Sequence, residues 1–455
     1  MVLCKKSPIK QLNMYYRKIN KFLDQFAIDS LAVESRFTLR TPRKITATNF
    51  LLSFFLVVSK QHFSLRTWAA ELSQIINEKV SFQAIDKKLQ IRQLGFFKLL
   101  FAESIKQSFV NNNSVINSKL YSSFSRVLLE DSTCIKLAKA LYHHFSGSST
   151  GKGNPTTMSR IQLSFDLKTN NLENVELTSY TSNDATYSNN ITHRINKGDL
   201  VIRDLGYWKI SVFKSIQKRL GFFLSRFKLV TNIYLPDSYE IFNLVKCLKK
   251  LDKNNCSTLD MNVRIGQKDR LAVRMVALKL TTEQAKIRRR HAKSNWSRKT
   301  KTSNDSYYLM SWNILITNVD DKVWSTKDVY NAYALRWQIE MMFKNLKSNF
   351  KIDKFMYTIK GSNPIRPEIL LYLCMTFLTI VYMPSFNKYR RIILAKYSKH
   401  LSSLKFGQFI LDKFLMFCQV SESNIIEYLV LYYCYDKRSD RQNCSEILYS
   451  NYSLS

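Results

Sequence analysis

The sequence predicts an α/β protein: a mixed sheet, interrupted by a β-rich insertion, with helical regions before and after it. Three patterns predict this. Short apolar runs with alternating polarity recur across residues 126–226 and again at 311–317, the period of strands. Residues 50–89 and 361–455 are apolar at helical spacing instead. Residues 261–280 alternate once more, inside what reads as an insertion at 235–303.

Composition narrows the function before any motif is read. The chain has 455 residues, 45% of them hydrophobic, enough for several domains with real cores. Its 70 Lys and Arg against 34 Asp and Glu leave +36, spread along the whole length. Such a field implies a polyanionic partner, nucleic acid first. The longest apolar run, residues 369–383, is too short and interrupted to span a bilayer and reads as a buried helix, so no membrane partner is expected. Without an apolar stretch and cleavage site after the basic start, the expected location is the cytoplasm. The eight cysteines show no Cys-x-x-Cys spacing, and His143, His144 and His193 have no metal-spaced partner, so neither zinc nor a disulfide framework is expected.

In chain order, residues 1–45 are basic, with Tyr15, Tyr16 and Phe22 among the charges: an arm on DNA or a solvated helical lead-in. Residues 50–58 read as a core helix and 64–77 as a second helix. Ser81 then N-caps a third, beginning at Phe82. Helix, turn and capped helix form a helix-turn-helix pattern in which Gln83, Lys87 and Lys88 can face a groove. The polar residues 111–118 read as a linker. A strand at 126–131 ends in Glu130 and Asp131, alternation aiming Glu130 away as a solvated or salt-bridged side chain. After a Gly/Ser-rich loop at 146–153, a hairpin follows at 158–166 and 172–178. A strand at 200–204 ends in Asp204, then come a helix at 211–220 and a strand at 222–226. Three strands, a connection, a strand, a helix and a strand describe a ribonuclease H-like core. The expected domains are 1–118 (helical, DNA-binding), 119–234 and 304–360 (the two parts of the core), 235–303 (insertion) and 361–455 (helical). The far end of the insertion is strongly basic, with Arg288, Arg289 and Arg290 followed by Arg298, Lys299 and Lys301.

One helix over 325–348 then carries the polar stripe. At about 100° per residue, Tyr333, Arg336, Glu340 and Lys347 share an arc of roughly 60°, with Leu335, Ile339, Met342 and Leu346 opposite. Asp131 and Asp204 at strand ends and Glu340 on this helix make three candidate acids. Converging carboxylates repel unless cations compensate, and hard oxygen ligands suit Mg²⁺ or Mn²⁺. Two such ions would support in-line attack on a phosphodiester.

These residues resemble the DDE transposases of the insertion-sequence-four family, over about residues 51–383. The spacing Tyr-(2)-Arg-(3)-Glu-(6)-Lys is matched by Tyr333, Arg336, Glu340 and Lys347, and the family's two aspartate blocks by Asp131-Ser132-Thr133 and Asp204-Leu205-Gly206-Tyr207. Leu205 stands where the family usually has Arg. The resemblance implies that Asp131, Asp204 and Glu340 bind two Mg²⁺ ions, Mn²⁺ serving as well. It implies that Tyr333, Arg336 and Lys347 hold DNA phosphate, that Arg226 matches a further basic position, and that Trp312 matches an aromatic that holds an extruded base. It further implies cut-and-paste transposition at terminal inverted repeats, through a hairpin, by a dimer in the synaptic complex that also engages target DNA. Two other readings stay open: an inactive end-binding repressor, and a ribonuclease H-like nuclease without strand transfer.

Overall fold

The structure, a computed structural model, describes residues 19–435 except 21–22, 40–43, 62, 112–119, 149–155, 295–302 and 359–360. Tyr15, Tyr16, Phe22, most of the expected linker, part of the Gly/Ser-rich loop, Arg298, Lys299, Lys301 and the chain's last residues lie outside the described residues. The described strands are β1 (Val127–Lys136), β2 (Met158–Asp166), β3 (Asn171–Ser179), β4 (Leu200–Arg203), β5 (Phe222–Arg226), β6 (Ile233–Tyr234), β7 (Thr258–Ile265), β8 (Leu271–Lys279) and β9 (Trp312–Thr317). With the many helices they make a mixed α/β protein. The described residues divide into two compact units, the first formed by those within 1–116, 132–182 and 338–446, the second by those within 117–131 and 183–337.

The first unit is mainly helical. Thr46 caps helix Ala47–Lys60 by accepting the Asn49 N–H, and ten of that helix's residues are buried. Ser64 likewise caps Leu65–Ile76, whose Trp68 donates its indole N–H to Ser53 Oγ at 2.8 Å. Phe50, Phe54 and Trp68 pack together, and Phe54 and Phe55 continue onto Phe355 and Phe377. The capped helix begins at Phe82 as expected but stops at Asp86, and a separate helix starts at Ile91. β2 and β3 form the antiparallel hairpin.

The apolar run near 369–383 is longer than the sequence suggested. Helix Arg366–Phe377, a π-helical turn at Leu378–Tyr382 and helix Met383–Tyr397 are continuous over 32 residues, long and apolar enough to cross a membrane. Length therefore does not count against a membrane span here. Burial does: 89% of its most apolar window is packed inside the protein. Pro384 does not interrupt it; the wide turn just before supplies the slack for a residue with no N–H to donate.

The second unit is built on a mixed sheet in the order β1-β4-β5-β9-β8-β7-β6. β1, β4 and β5 run parallel, and every pairing from β5 onward is antiparallel. Helix Ile210–Lys218 buries Val212, Phe213 and Ile216 against Val201, Phe223 and Met275. The alternating stretch at 261–280 falls within the β7–β8 hairpin, and helices Leu244–Lys253 and Thr282–Ser294 flank it in the chain.

Two expected elements differ where it matters. β1 does not end at Asp131 but continues through Thr133 and Ile135 to Lys136, so this acid sits mid-strand. The single helix over 325–348 is two helices, Thr326–Ala334 and Trp337–Ser348, separated by tight turns in which Leu335 N–H bonds Ala332 and Arg336 N–H bonds Tyr333. Tyr333 lies on the first helix, Arg336 in the break, and Glu340 and Lys347 on the second. One common stripe does not exist.

Candidate active site

Backbone pairing alone makes neighbours of the two aspartates. Glu130 on β1 is the Cα partner of Arg203 on β4, and the next residue of each is Asp131 and Asp204. Side chains alternate along extended backbone, so the acids face away from Glu130 and Arg203. Asp204 follows β4 directly, in extended conformation, and opens the short turn Leu205–Tyr207.

Around Asp204 three groups close a triangle. Arg226, the last residue of β5, donates through Nη2 to Asp204 Oδ1 at 2.9 Å and through Nε to the Tyr333 hydroxyl at 3.2 Å. That hydroxyl donates to Asp204 Oδ1 at 3.3 Å. Burial would raise the Asp204 carboxyl pKa, but the Arg226 and Arg336 guanidiniums more than offset it, and the group titrates below its ordinary value. Asp204 is therefore ionised at neutral pH. Burial pushes the Tyr333 phenol up to about 12 against the pull of Arg226, which keeps the hydroxyl a donor. Arg336 Nη1 stands 3.4 Å from Asp131 Oδ2, both half-buried, and its guanidinium lies 5.9 Å from the Tyr333 ring centre. Residues more than a hundred positions apart in the chain thus meet around two acids.

The remaining candidates fall elsewhere. Glu340 lies half-buried in the first turn of helix Trp337–Ser348, in the first unit. In that unit Lys347 Nζ donates to the Cys134 carbonyl at 2.7 Å. Among the described residues no group of three His, Cys, Asp or Glu side chains stands where it could hold a metal ion. The oxygen donors of Asp131 and Asp204 nonetheless suit a hard divalent cation, and Asp204 is already ionised for it.

Trp312 opens β9 and is 0% exposed, so neither face of its ring is open to an unpaired base. Its carbonyl accepts from Arg288 at 2.8 Å. Burial, and then the neighbouring Arg226 charge, lower the Arg288 pKa, marking a positive neighbourhood. Arg289 donates to the Tyr307 carbonyl and Arg290 is exposed. Gln83 and Lys87 are exposed, but Lys88 donates to the Phe37 carbonyl at 3.0 Å and lies over the Phe37 ring. Burial lowers its pKa, and Arg92 adds to the effect. It does not point outward.

One group escaped the sequence reading. Arg203 is 1% exposed and bonds Glu130, Ser188 Oγ and the Ser188 carbonyl, while Arg194 reaches Glu130 from the other side at 2.8 Å. A charged residue closing the apolar run Leu200-Val-Ile was the available signal.

Parallel strands and the segment 326–337 thus gather two aspartates, two arginines and a tyrosine on a chain whose +36 charge suits a polyanionic partner. A family model described as Transposase DDE domain matches residues 122–378. The chain belongs to the DDE transposases, enzymes that cleave and transfer DNA strands and that generally use divalent metal ions. The transposase of insertion sequence element IS1151 from Clostridium perfringens is 29% identical over 421 residues, 88% of this chain and 86% of that one. The transposase of IS231F from Bacillus thuringiensis subsp. israelensis is 26% identical over 441 residues, 92% and 90% of the two chains. Among solved structures, the piggyBac transposase synaptic complex with hairpin DNA aligns over 95% of this chain and 87% of that one at a TM-score of 0.37 and 12% identity, too low to carry anything across.

Proposed function

We propose that the chain carries out cut-and-paste transposition of an insertion sequence, with Asp131, Asp204 and Glu340 as its acids. It acts in the cytoplasm on the element's terminal inverted repeats and on target DNA, as a dimer in the synaptic complex, and resolves a hairpin on the element's ends. The observation that supports this reading is the clasp of Arg226, Tyr333 and Arg336 around Asp204 and Asp131. The parallel strands β1, β4 and β5, with the β2–β3 hairpin between β1 and β4 in the chain, support a ribonuclease H-like core.

The three acids would hold two Mg²⁺ or Mn²⁺ ions, which when bound supply an activated water or 3′-hydroxyl and stabilise the leaving oxygen. The chain's own residues do the rest. Arg226 and Tyr333 hold Asp204 ionised and oriented before DNA arrives. An incoming phosphate competes for Arg226 and Arg336, since guanidinium grips phosphate as well as carboxylate, and frees both aspartates as it docks. Lys347 adds a point charge, and Lys87, Arg289 and Arg290 contribute sequence-independent backbone contacts.

The test is cleavage of a labelled terminal-repeat duplex in Mg²⁺. Asp131→Ala, Asp204→Ala and Glu340→Ala each abolish cleavage while end binding in a gel shift persists; full cleavage by any one of them overturns the assignment. Strand transfer of pre-cleaved ends by the parent protein separates a transposase from a plain nuclease.

A further inference from the structure

We infer that the buried Glu130–Arg203 ion pair is a positioning device for the two aspartates. This rests on the proposed role of Asp131 and Asp204. The two residues are Cα partners across parallel strands, and each immediately precedes one acid. Their side chains are 3% and 1% exposed, and Arg203 reaches Glu130 Oε2 with Nη2 at 2.5 Å and Nε at 2.7 Å. Arg203 is also fixed by both oxygens of Ser188 and lies 5.4 Å from the Tyr207 ring centre. Arg194 occupies the second Glu130 oxygen.

Burying two charges is costly, and a well-packed apolar pair of similar volume is commonly as stable or more so. Stability alone therefore does not account for a salt bridge here. Register does. A one-residue slip of β1 against β4 turns Asp131 to the opposite face of the sheet from Asp204. An apolar pair tolerates such adjustments, whereas a guanidinium that gives two N–H groups to Glu130 Oε2 and two more to Ser188 has one satisfactory geometry. The pair thus holds Asp131 and Asp204 at fixed separation from the far side of the sheet, without touching the substrate.

The experiment compares the full-length parent with Glu130→Leu/Arg203→Met and with Arg203→Lys. For the double variant the expected result is a folded protein with parental end binding, and with single-turnover cleavage down about 10²-fold, the cost of a misplaced reactive group. Calorimetric titration with MnCl₂ is expected to show weakened binding. Arg203→Lys, which keeps the charge but loses the fork, is expected to cleave more slowly than the parent at unchanged end binding, and it decides the matter if the double variant does not fold. Parental cleavage and Mn²⁺ binding by a folded double variant, or parental cleavage by Arg203→Lys where the double variant is unfolded, overturns the inference. Cleavage by Asp131→Ala overturns the active-site reading instead, so the two failures are distinguishable.

Discussion

Replacing Arg226 with Gln separates what this residue does for the fold from what it does for the reaction. Its side chain is 35% exposed and that of Asp204 31%, so solvent screens the pair. A half-exposed ion pair contributes about 0.2–1 kcal/mol. Tyr333 loses one partner but keeps Asp204 at 3.3 Å. The melting temperature should therefore fall by no more than about 2–4 °C. The loss in reaction is larger, because a charge-assisted bond to phosphate is worth about 1.5–3 kcal/mol, or roughly 10–100-fold in kcat/KM. The pH dependence gives the sharper signature. With Arg226 gone, burial is left opposed chiefly by Arg336, and the Asp204 carboxyl titrates higher. The acid limb of the cleavage profile should then move to higher pH. Single-turnover cleavage of a labelled end duplex across the acid and neutral range measures both effects. A variant cleaving at the parental rate with an unmoved acid limb refutes the reasoning, as does one whose rate loss tracks a collapse in stability.

Three further predictions concern the scaffold. Ser325 and Asp328 form a reciprocal capping box on the helix that carries Tyr333, so Ser325→Ala should cost about 1 kcal/mol, read by chemical denaturation. At Gly407 an added methyl group would run into the buried Asn345 amide, which bonds the Tyr382 hydroxyl at 2.8 Å; Gly407→Ala should cost about 1–3 kcal/mol, and an unchanged denaturation midpoint would contradict that packing. Burial would raise the Asp260 pKa, but bonds from Arg274 and Thr326 bring it below its ordinary value. Its stabilising contribution is therefore full above the unfolded carboxylate range and is lost as pH falls through the lowered folded value, so Asp260→Asn should flatten the acid side of the stability curve.

The sequence was most legible where one physical pattern dominated. β5 is expected at 222–226 and is Phe222–Arg226, and Ser81 caps the helix assigned to it, because strand patterning and cap chemistry are local signals. The break at Leu335–Arg336 was invisible, since neither Gly nor Pro marks it and both flanking segments keep helical spacing. Asp131 looked terminal because two acids after an apolar run read as a stop, whereas the strand continues on the β-branched Thr133 and Ile135. Lys88 and Trp312 show the limit of composition. A lysine in a basic chain and an aromatic in a matching position suggest DNA, but only packing reveals that the first turns inward and the second has no open face. Arg203 shows the converse: a buried cation inside a strand was on view from the start, but its partner Glu130 lies far away in the chain.

The long buried helix has a consequence for synthesis. Phe55 packs on Phe377 at 5.1 Å between ring centres, and Ser104 bonds Thr379 at 2.6 Å, so the earliest-made core helix waits for one made more than two hundred and fifty residues later. All the described elements of the second unit are complete once residue 337 has left the ribosome. The order of birth and the order of closure are thus reversed: the middle of the chain folds while its beginning still displays the faces of Phe54 and Phe55 that Phe355 and Phe377 later cover. Protease treatment of ribosome-bound chains stalled at the point where residue 340 has just emerged from the exit tunnel should leave a protected fragment from residues 183–337 and none from 47–76, and equal protection of both would contradict this order.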